Sequence, residues 1–464
     1  MKSLYSVLAT SIIILVQVLN FSCKKFVEID PPRTDLVKST VFTSDATAEA
    51  AMADIYFQIR NDGFGSGGGS SISLNASLSS DELIYNGVGS STAQDYDQIN
   101  TNSIRPNNII TTRIWSNIYN IIYRSNSVLE GIMSSGNMSD PIKKRLEGEA
   151  KFIRAFCHFY LVNLWGDVPL TLTTNYQQNN TSSRTSEAQV YQQIISDLKD
   201  AQNLLPSNYA FTSNQRVKPN KYTATALLAR VYLYLEDWVN AELQATEIIN
   251  NTSLYQLESN LMTVFRSTSK EPIFQLWSDA FPNDRNTFFV FSSGPTYGSV
   301  RPQFVSSFET GDNRWVRWGQ TRIVQGNTFY GVLKYRDFST PPLDFSTVLR
   351  LAEQYLIRSE ARAKQGKITG NNSAESDINV IRNRAGLGNT IANTQADMLL
   401  AVELERRSEL FTEWGHRWFD LKRTGRAAAV LNPIKPNWQA YKELFPIPEE
   451  QLINNPNISQ NPGY

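Results

Sequence analysis

Four places in the chain carry residue types able to do chemistry. Asp81 and Glu82 stand side by side in LSSDELIYNG, and Cys157 and His158 in FIRAFCHFYLVNLW. His416 lies among glutamates and arginines in ELERRSELFTEWGHRWFDLKRTG, and Cys23 follows a short apolar run in LNFSCKKF. Glycoside hydrolysis needs two carboxyls flanking the scissile bond, about 5–9 Å apart. Sequence neighbours seldom take those two roles, so Asp81 and Glu82 read as partners for ligand hydroxyls or as turn caps. Cys157 and His158 are adjacent on a helical run, where side chains diverge by about 100°, so the imidazole faces away from the thiol. A buried structural thiol fits that apolar setting. In the charged stretch, a glutamate with His416 as partner would be an acid–base pair. The alternating signs favour ion pairs instead, with Glu403 to Arg407 and Glu413 to Arg417 at the four-residue spacing that meets on a helix surface. With two cysteines and two histidines in 464 residues, a His/Cys metal site lacks parts. The reading is no enzyme, no metal and no cofactor.

Cys23 calls for a different chemistry. The apolar stretch from Val7 to Leu19 is short of the roughly 20 residues of a bilayer span and suits the core of a signal peptide. A cysteine directly after it is the acceptor for a lipoprotein anchor, with residues 1–22 removed and Cys23 acylated. Burial of acyl chains at about 0.8 kcal/mol per methylene makes several chains a firm attachment where one is marginal. Leu19 sits four before the cysteine, and Asn20 and Phe21 depart from the usual lipobox residues. Residues 23–36, with Pro31 and Pro32, then form an extended tether.

The elements that must position any site are mostly helices. Helical periodicity runs from about Ser44 to Arg60, over 108–135, and over 139–165 with Ser139 as cap and Gly166 at the end. The segment from Tyr222 to Asn250 places Ala229, Tyr232, Trp238, Ala241 and Ala245 at the offsets of a tetratricopeptide-like helix pair. Weaker echoes of the pair occur at 349–386 and across 108–165. Such pairs serve either protein contact or scaffolding. A long helix is expected over 395–423. Two regions lack helical texture: 62–106, which starts with the glycine run GFGSGGG and reads as flexible loop, and 252–345, with short alternating runs of strand character. The glycine run lacks the Lys-Ser/Thr ending of a phosphate loop. The expected architecture is mostly α, a single domain over 37–464 of tetratricopeptide-like pairs within 108–251 and 346–386, with long loops and a few short strands.

Lysine plus arginine balances aspartate plus glutamate at 44 each, so no global field draws nucleic acid or an anionic surface. What stands out is 20 Tyr, 23 Phe and 9 Trp, many of them in the loop regions beside Asp, Asn and Arg. Sugar rings stack their C–H faces on aromatic rings and need polar groups for their hydroxyls. Asp81, Tyr85, Tyr96, Tyr297, Trp315 and Trp318 are therefore the candidate ligand-binding residues, with aromatic packing as the alternative use of each ring.

Taken in order, CKKFVEIDPPRTDLVKSTVFTSDATAEAAMADIY, LEGEAKFIRAFCHFYLVNLWGDVPL, RLAEQYLIRSEARAKQG with INVIRNRAGL, ERRSELFTEWGHRWFDLKRTGRA and the ending LFPIPEEQLINNPNISQNPGY resemble the SusD/RagB family of Bacteroidota outer-membrane lipoproteins. The resemblance implies a helical, lipid-anchored, non-enzymatic protein, attached to the outer membrane through Cys23. It would capture an oligosaccharide and deliver it to a SusC-like TonB-dependent transporter. A mainly structural lid on that transporter, or a peptide ligand, is the alternative. Ligand residues in this family lie in no shared motif, so none is carried over. Many surface-exposed relatives have acidic residues right after the cysteine; here Lys24 and Lys25 come first, and acids begin at Glu28 and Asp30.

Overall fold

The computed structural model describes residues 41–61, 64–65, 67–87, 91–279 and 283–464. Cys23, the signal segment and the tether fall outside them.

Helices dominate. α1 (Asp45–Asn61) buries Ala48, Met52, Ile55 and Ile59, a stripe at helical spacing. α2 (Ile72–Ser79), β1 (Leu83–Tyr85) and α3 (Ala93–Asn100) follow. Two 26-residue helices, α4 (Ile109–Ser134) and α5 (Asp140–Trp165), pack on each other, and α5 also packs on α7 (Glu187–Leu204), beyond the single turn α6 (Tyr176–Asn179). The Asn108 carboxamide caps α4 by accepting from the amides of Ile110 and Thr111. Ser139 stands at the cap position of α5, but its hydroxyl donates to Asp45 at 2.7 Å, tying α5 to α1. Gly166, with φ 73°, ends α5 in a conformation that a side chain rarely adopts.

α8 (Lys221–Tyr234) and α9 (Trp238–Ile249) form the expected tetratricopeptide-like pair, with Ala229, Ala241 and Ala245 fully buried where the helices touch. α9 packs on α13 (Leu351–Lys364), which pairs with α14 (Ala374–Arg384), so the predicted pairs join into one scaffold.

The remaining elements are short: β2 (Pro272–Leu276), α10 (Asn283–Phe288), β3 (Val290–Phe291), β4 (Gly294–Pro295), β5 (Gly298–Val300), α11 (Pro302–Val305), α12 (Asn313–Trp318), β6 (Gly319–Val324), β7 (Asn327–Val332) and β8 (Ser346–Arg350). Among the described residues all sheets are two-stranded and antiparallel: β1–β5, β2–β8, β3–β4 and β6–β7. The β1–β5 pairing, with Leu83 opposite Val300 and Tyr85 opposite Gly298, stitches the 62–106 region to the 252–345 region.

Three expectations are corrected. Residues 62–106 are not simply loop. α2 is buried along its whole length, and among the described residues of the glycine run the Gly67 amide donates to Asp284 at 2.8 Å, while the Ile72 amide donates to the Phe64 carbonyl at 3.1 Å. The long helix expected at 395–423 is broken into α15 (Gln395–Glu409) and α16 (His416–Arg423), because Thr412, Trp414 and Gly415 take positive φ between them. The helix-surface pairs do not form either. Glu403 meets Arg417 and Arg426, Arg407 meets Asp81, and Glu413 meets Lys334 and Arg350. These charges point inward, so their partners come from other elements. The chain ends with α17 (Ala427–Leu431), α18 (Glu449–Asn454) and a tail held by Asn461, whose amide donates to the carbonyls of Trp165 and Phe445.

Candidate functional site

β1 and β5 run antiparallel, so the residue at the end of one lies beside the residue entering the other. That places Tyr85 and Tyr297 on either side of Tyr96, which α3 delivers. The Tyr96 ring centroid is 5.6 Å from that of Tyr85 and 5.3 Å from that of Tyr297, and its hydroxyl is hydrogen-bonded to Tyr297 and Thr92. Tyr96 is buried and forms the floor; Tyr85 and Tyr297 are partly exposed. Burial pushes the Tyr96 phenol up, so it stays protonated and acts only as a hydrogen-bonding group.

Gly69 explains how the floor is reached. A Cβ at Gly69 would collide with the Tyr96 hydroxyl and crowd that of Tyr297, so only glycine lets the backbone pass there. Polar groups converge on the same place. The Asn86 amide donates to the Tyr297 carbonyl at 3.3 Å, while its buried Oδ1 has no partner among the described residues. Asn100 Oδ1 accepts from the Tyr85 amide at 3.2 Å and from Arg301 Nη2 at 3.5 Å, and the buried Arg301 Nε has no partner among the described residues. Two partly open rings over a buried third make a surface that can stack a sugar face, with the polar groups of Asn86, Asn100 and Arg301 buried beneath it. Asn86, Arg301 and Gly69 escaped the sequence reading, because nothing local separates them from ordinary loop residues.

The other candidates sit elsewhere. Asp81 is buried; Arg417 holds it at 2.7 Å and Arg407 at 3.3 Å. Burial works against its charged form, but those two guanidiniums keep its carboxyl below the ordinary range, so it is a structural anion and reaches no ligand. Glu82 accepts from the Ser77 hydroxyl at 2.6 Å and from the Thr412 amide at 3.2 Å, with burial raising its carboxyl to about 7. Trp318 is 0% exposed, its indole N–H donating to the Leu261 carbonyl at 2.7 Å. It belongs to the core, and its place among the ligand residues is withdrawn. Trp315 is half-buried in a separate aromatic group with Phe308, Tyr330 and Phe411.

The acid–base candidates are closed in. Burial depresses His158 to about 3 and His416 well below its ordinary value; the His158 Nδ1 faces the Arg154 carbonyl at 3.0 Å. The Cys157 thiol is buried and pushed up by desolvation. Sealed from solvent, none of the three is placed to meet a substrate.

Comparison with known proteins decides the family. Residues 42–233 match a family described as starch-binding and associating with the outer membrane, and residues 344–464 match the SusD family itself. The two stretches together take in more than half of the 464 residues. The chain belongs to the SusD/RagB family. Among its SusD-family relatives, a SusD-like protein P2 of Formosa agariphila is 27% identical over 92% of this chain and 94% of its own. The starch-binding protein SusD of Bacteroides thetaiotaomicron is 23% identical, covering 80% of this chain and 82% of its own. Among solved structures, a SusD superfamily protein from Bacteroides vulgatus superposes with a TM-score of 0.79 at 24% identity, over 92% of this chain and all of that one. A laminarin-binding SusD-like protein superposes with 0.75 at 25% identity, over 90% and 99%. The mostly helical, single-domain fold is that of the SusD superfamily.

Proposed function

We propose that this SusD-family protein is a non-enzymatic glycan-binding lipoprotein of the outer membrane. It captures an oligosaccharide on the Tyr85–Tyr96–Tyr297 platform and passes it to a SusC-like TonB-dependent transporter. The observation that carries the reading is the β1–β5 pairing, which assembles partly open rings from two regions distant in sequence, in a fold shared with starch- and laminarin-binding relatives.

Starch and laminarin oligosaccharides are the first probes, since relatives bearing those names share the fold. Each stacked ring contributes about 0.5–1.5 kcal/mol. Calorimetric titration should therefore find Tyr85→Ala/Tyr297→Ala about tenfold or more weaker than the parent chain. Unchanged affinity in that variant removes the platform from the account. Failure of the parent protein to bind any glycan, alongside co-purification with the transporter, would favour the structural lid.

Residues 1–22 act as the signal segment, Cys23 is the acylated first residue and residues 23–36 are the tether. No helix among the described residues is long and apolar enough to cross a membrane. Cys23→Ser is expected to move the protein from the membrane pellet to the soluble fraction on cell fractionation; retention in the pellet contradicts the anchor. Display on the outer face, where glycans arrive, would leave protease-accessible loops on intact cells.

A further inference from the structure

We propose a second glycan site on this chain, a cleft for a neutral oligosaccharide formed by α4, the segment around α6 and the C-terminal tail. This rests on the glycan-binding reading above. Trp115, Tyr119 and Tyr123 recur every four residues on α4 and make one wall of a cleft of about 580 Å³. Volumes of about 300–1,000 Å³ are usual for ligand sites. Trp115 is the buried floor, 4.9 Å from Tyr119 by ring centroids and held edge-on by Trp165 at 5.1 Å. The rim is aromatic and open: Tyr123 is 49% and Tyr176 68% exposed.

The polar lining is uncharged and mostly carboxamide, with the hydroxyl residues Ser116 and Thr171 beside it. Asn180, Gln451 and Asn454 face the cleft, and their side chains make no hydrogen bond within the described residues, leaving donors and acceptors for a ligand. No charged side chain lines the cleft among the described residues. Carboxamides satisfy hydroxyls in both directions, whereas a carboxylate or sulfate taken out of water needs a counter-charge that this lining lacks. The chemistry thus selects a neutral sugar and disfavours uronic or sulfated ones.

The walls are set before any ligand arrives. The Tyr119 hydroxyl donates to the Pro169 carbonyl at 2.9 Å, and Asn179 Nδ2 donates to the Thr173 carbonyl at 2.8 Å. Asn455 and Asn457 carboxamides donate to the carbonyls of Ser182 and Thr181 at 2.8 and 2.7 Å, clamping the tail to the α6 segment. Preorganisation of this kind removes an ordering cost from binding. The cleft shares no element with β1, β5 or α3, so the two sites are separable by mutation. Two sites on one chain also raise the avidity for a polymer that can reach both.

The test uses full-length protein in detergent, titrated calorimetrically with malto-, laminari-, cello-, xylo- and mannohexaose, with oligogalacturonate as the acidic control. The expected result is two equivalents of a neutral hexasaccharide per chain. Tyr123→Ala/Tyr176→Ala should retain one equivalent, with affinity at the cleft at least about tenfold lower, and Tyr85→Ala/Tyr297→Ala should retain the other. Both cleft substitutions are at exposed rings and leave the core intact. One equivalent in the parent chain, lost in Tyr85→Ala/Tyr297→Ala and unaffected by Tyr123→Ala/Tyr176→Ala, overturns the second site while sparing the platform. Binding of the acidic control at the cleft with equal affinity overturns its assignment to neutral sugars. Absence of binding to every sugar brings down the glycan reading and this site with it.

Discussion

Replacing Glu409 by glutamine is expected to lower the stability of the protein by about 3–5 kcal/mol at neutral pH, the usual result of removing one partner from a buried ion pair. Glu409 is fully buried at the end of α15, 2.6 Å from Arg350 and 3.3 Å from Arg314, and paired with Arg384 as well. Glu271, Glu405, Glu413 and Asp312 complete the same buried network. It joins α12, β8, α14 and α15.

Burial alone would raise the Glu409 carboxyl. Arg384, Arg350 and Arg314 outweigh it and hold the group far below the ordinary carboxylate range. A carboxyl with a depressed folded pKa contributes fully above its unfolded value of about 4.3 and loses that contribution as pH falls through that value toward the folded one. The gap between parent and Glu409→Gln should therefore be widest near neutrality and narrow below about pH 4. Urea unfolding midpoints at several pH values measure it. A variant matching the parent at pH 7, or a gap that widens on acidification, contradicts the assignment.

Trp318→Ala is expected to cost about 3–5 kcal/mol of stability, the range for removing a large aromatic from a core, while leaving glycan affinity unchanged wherever the protein is folded. The indole is packed against Phe265 and Phe411, with ring centroids 5.8 and 6.3 Å away, and Lys334 Nζ lies 4.9 Å from its centroid. Deleting it opens a cavity beneath the Lys334–Glu413 ion pair and orphans the Leu261 carbonyl. Thermal unfolding and calorimetric binding on the same preparation separate the two effects. Lost binding with an unshifted unfolding temperature would return Trp318 to the ligand site.

Tryptophan in a loop-rich stretch looks the same in sequence whether it faces a ligand or the core, and Trp315 and Trp318, three residues apart, illustrate the ambiguity. A single helical turn, α12, presents one to the half-open aromatic group and the other to the interior. Asp81 misled for a similar reason: its partners Arg407 and Arg417 are distant in sequence and approach only because the chain breaks between α15 and α16. What could be read directly was periodic. The stripes of α1 and α4 and the alanines of the α8–α9 pair follow from a repeat near 3.6 residues. α2 was illegible because a helix buried on all sides has no polar face, and its serines and Asn75 imitate loop composition. The platform was legible only in residue type. Tyr85, Tyr96 and Tyr297 were picked for their chemistry, and the β1–β5 pairing that unites them is a long-range contact that no local pattern encodes.

The most direct test is a crystal structure of the protein with the oligosaccharide that binds it best in a glycan screen. The account predicts a sugar ring against the open faces of Tyr85 and Tyr297. A platform left empty while sugar occupies some other surface would contradict it.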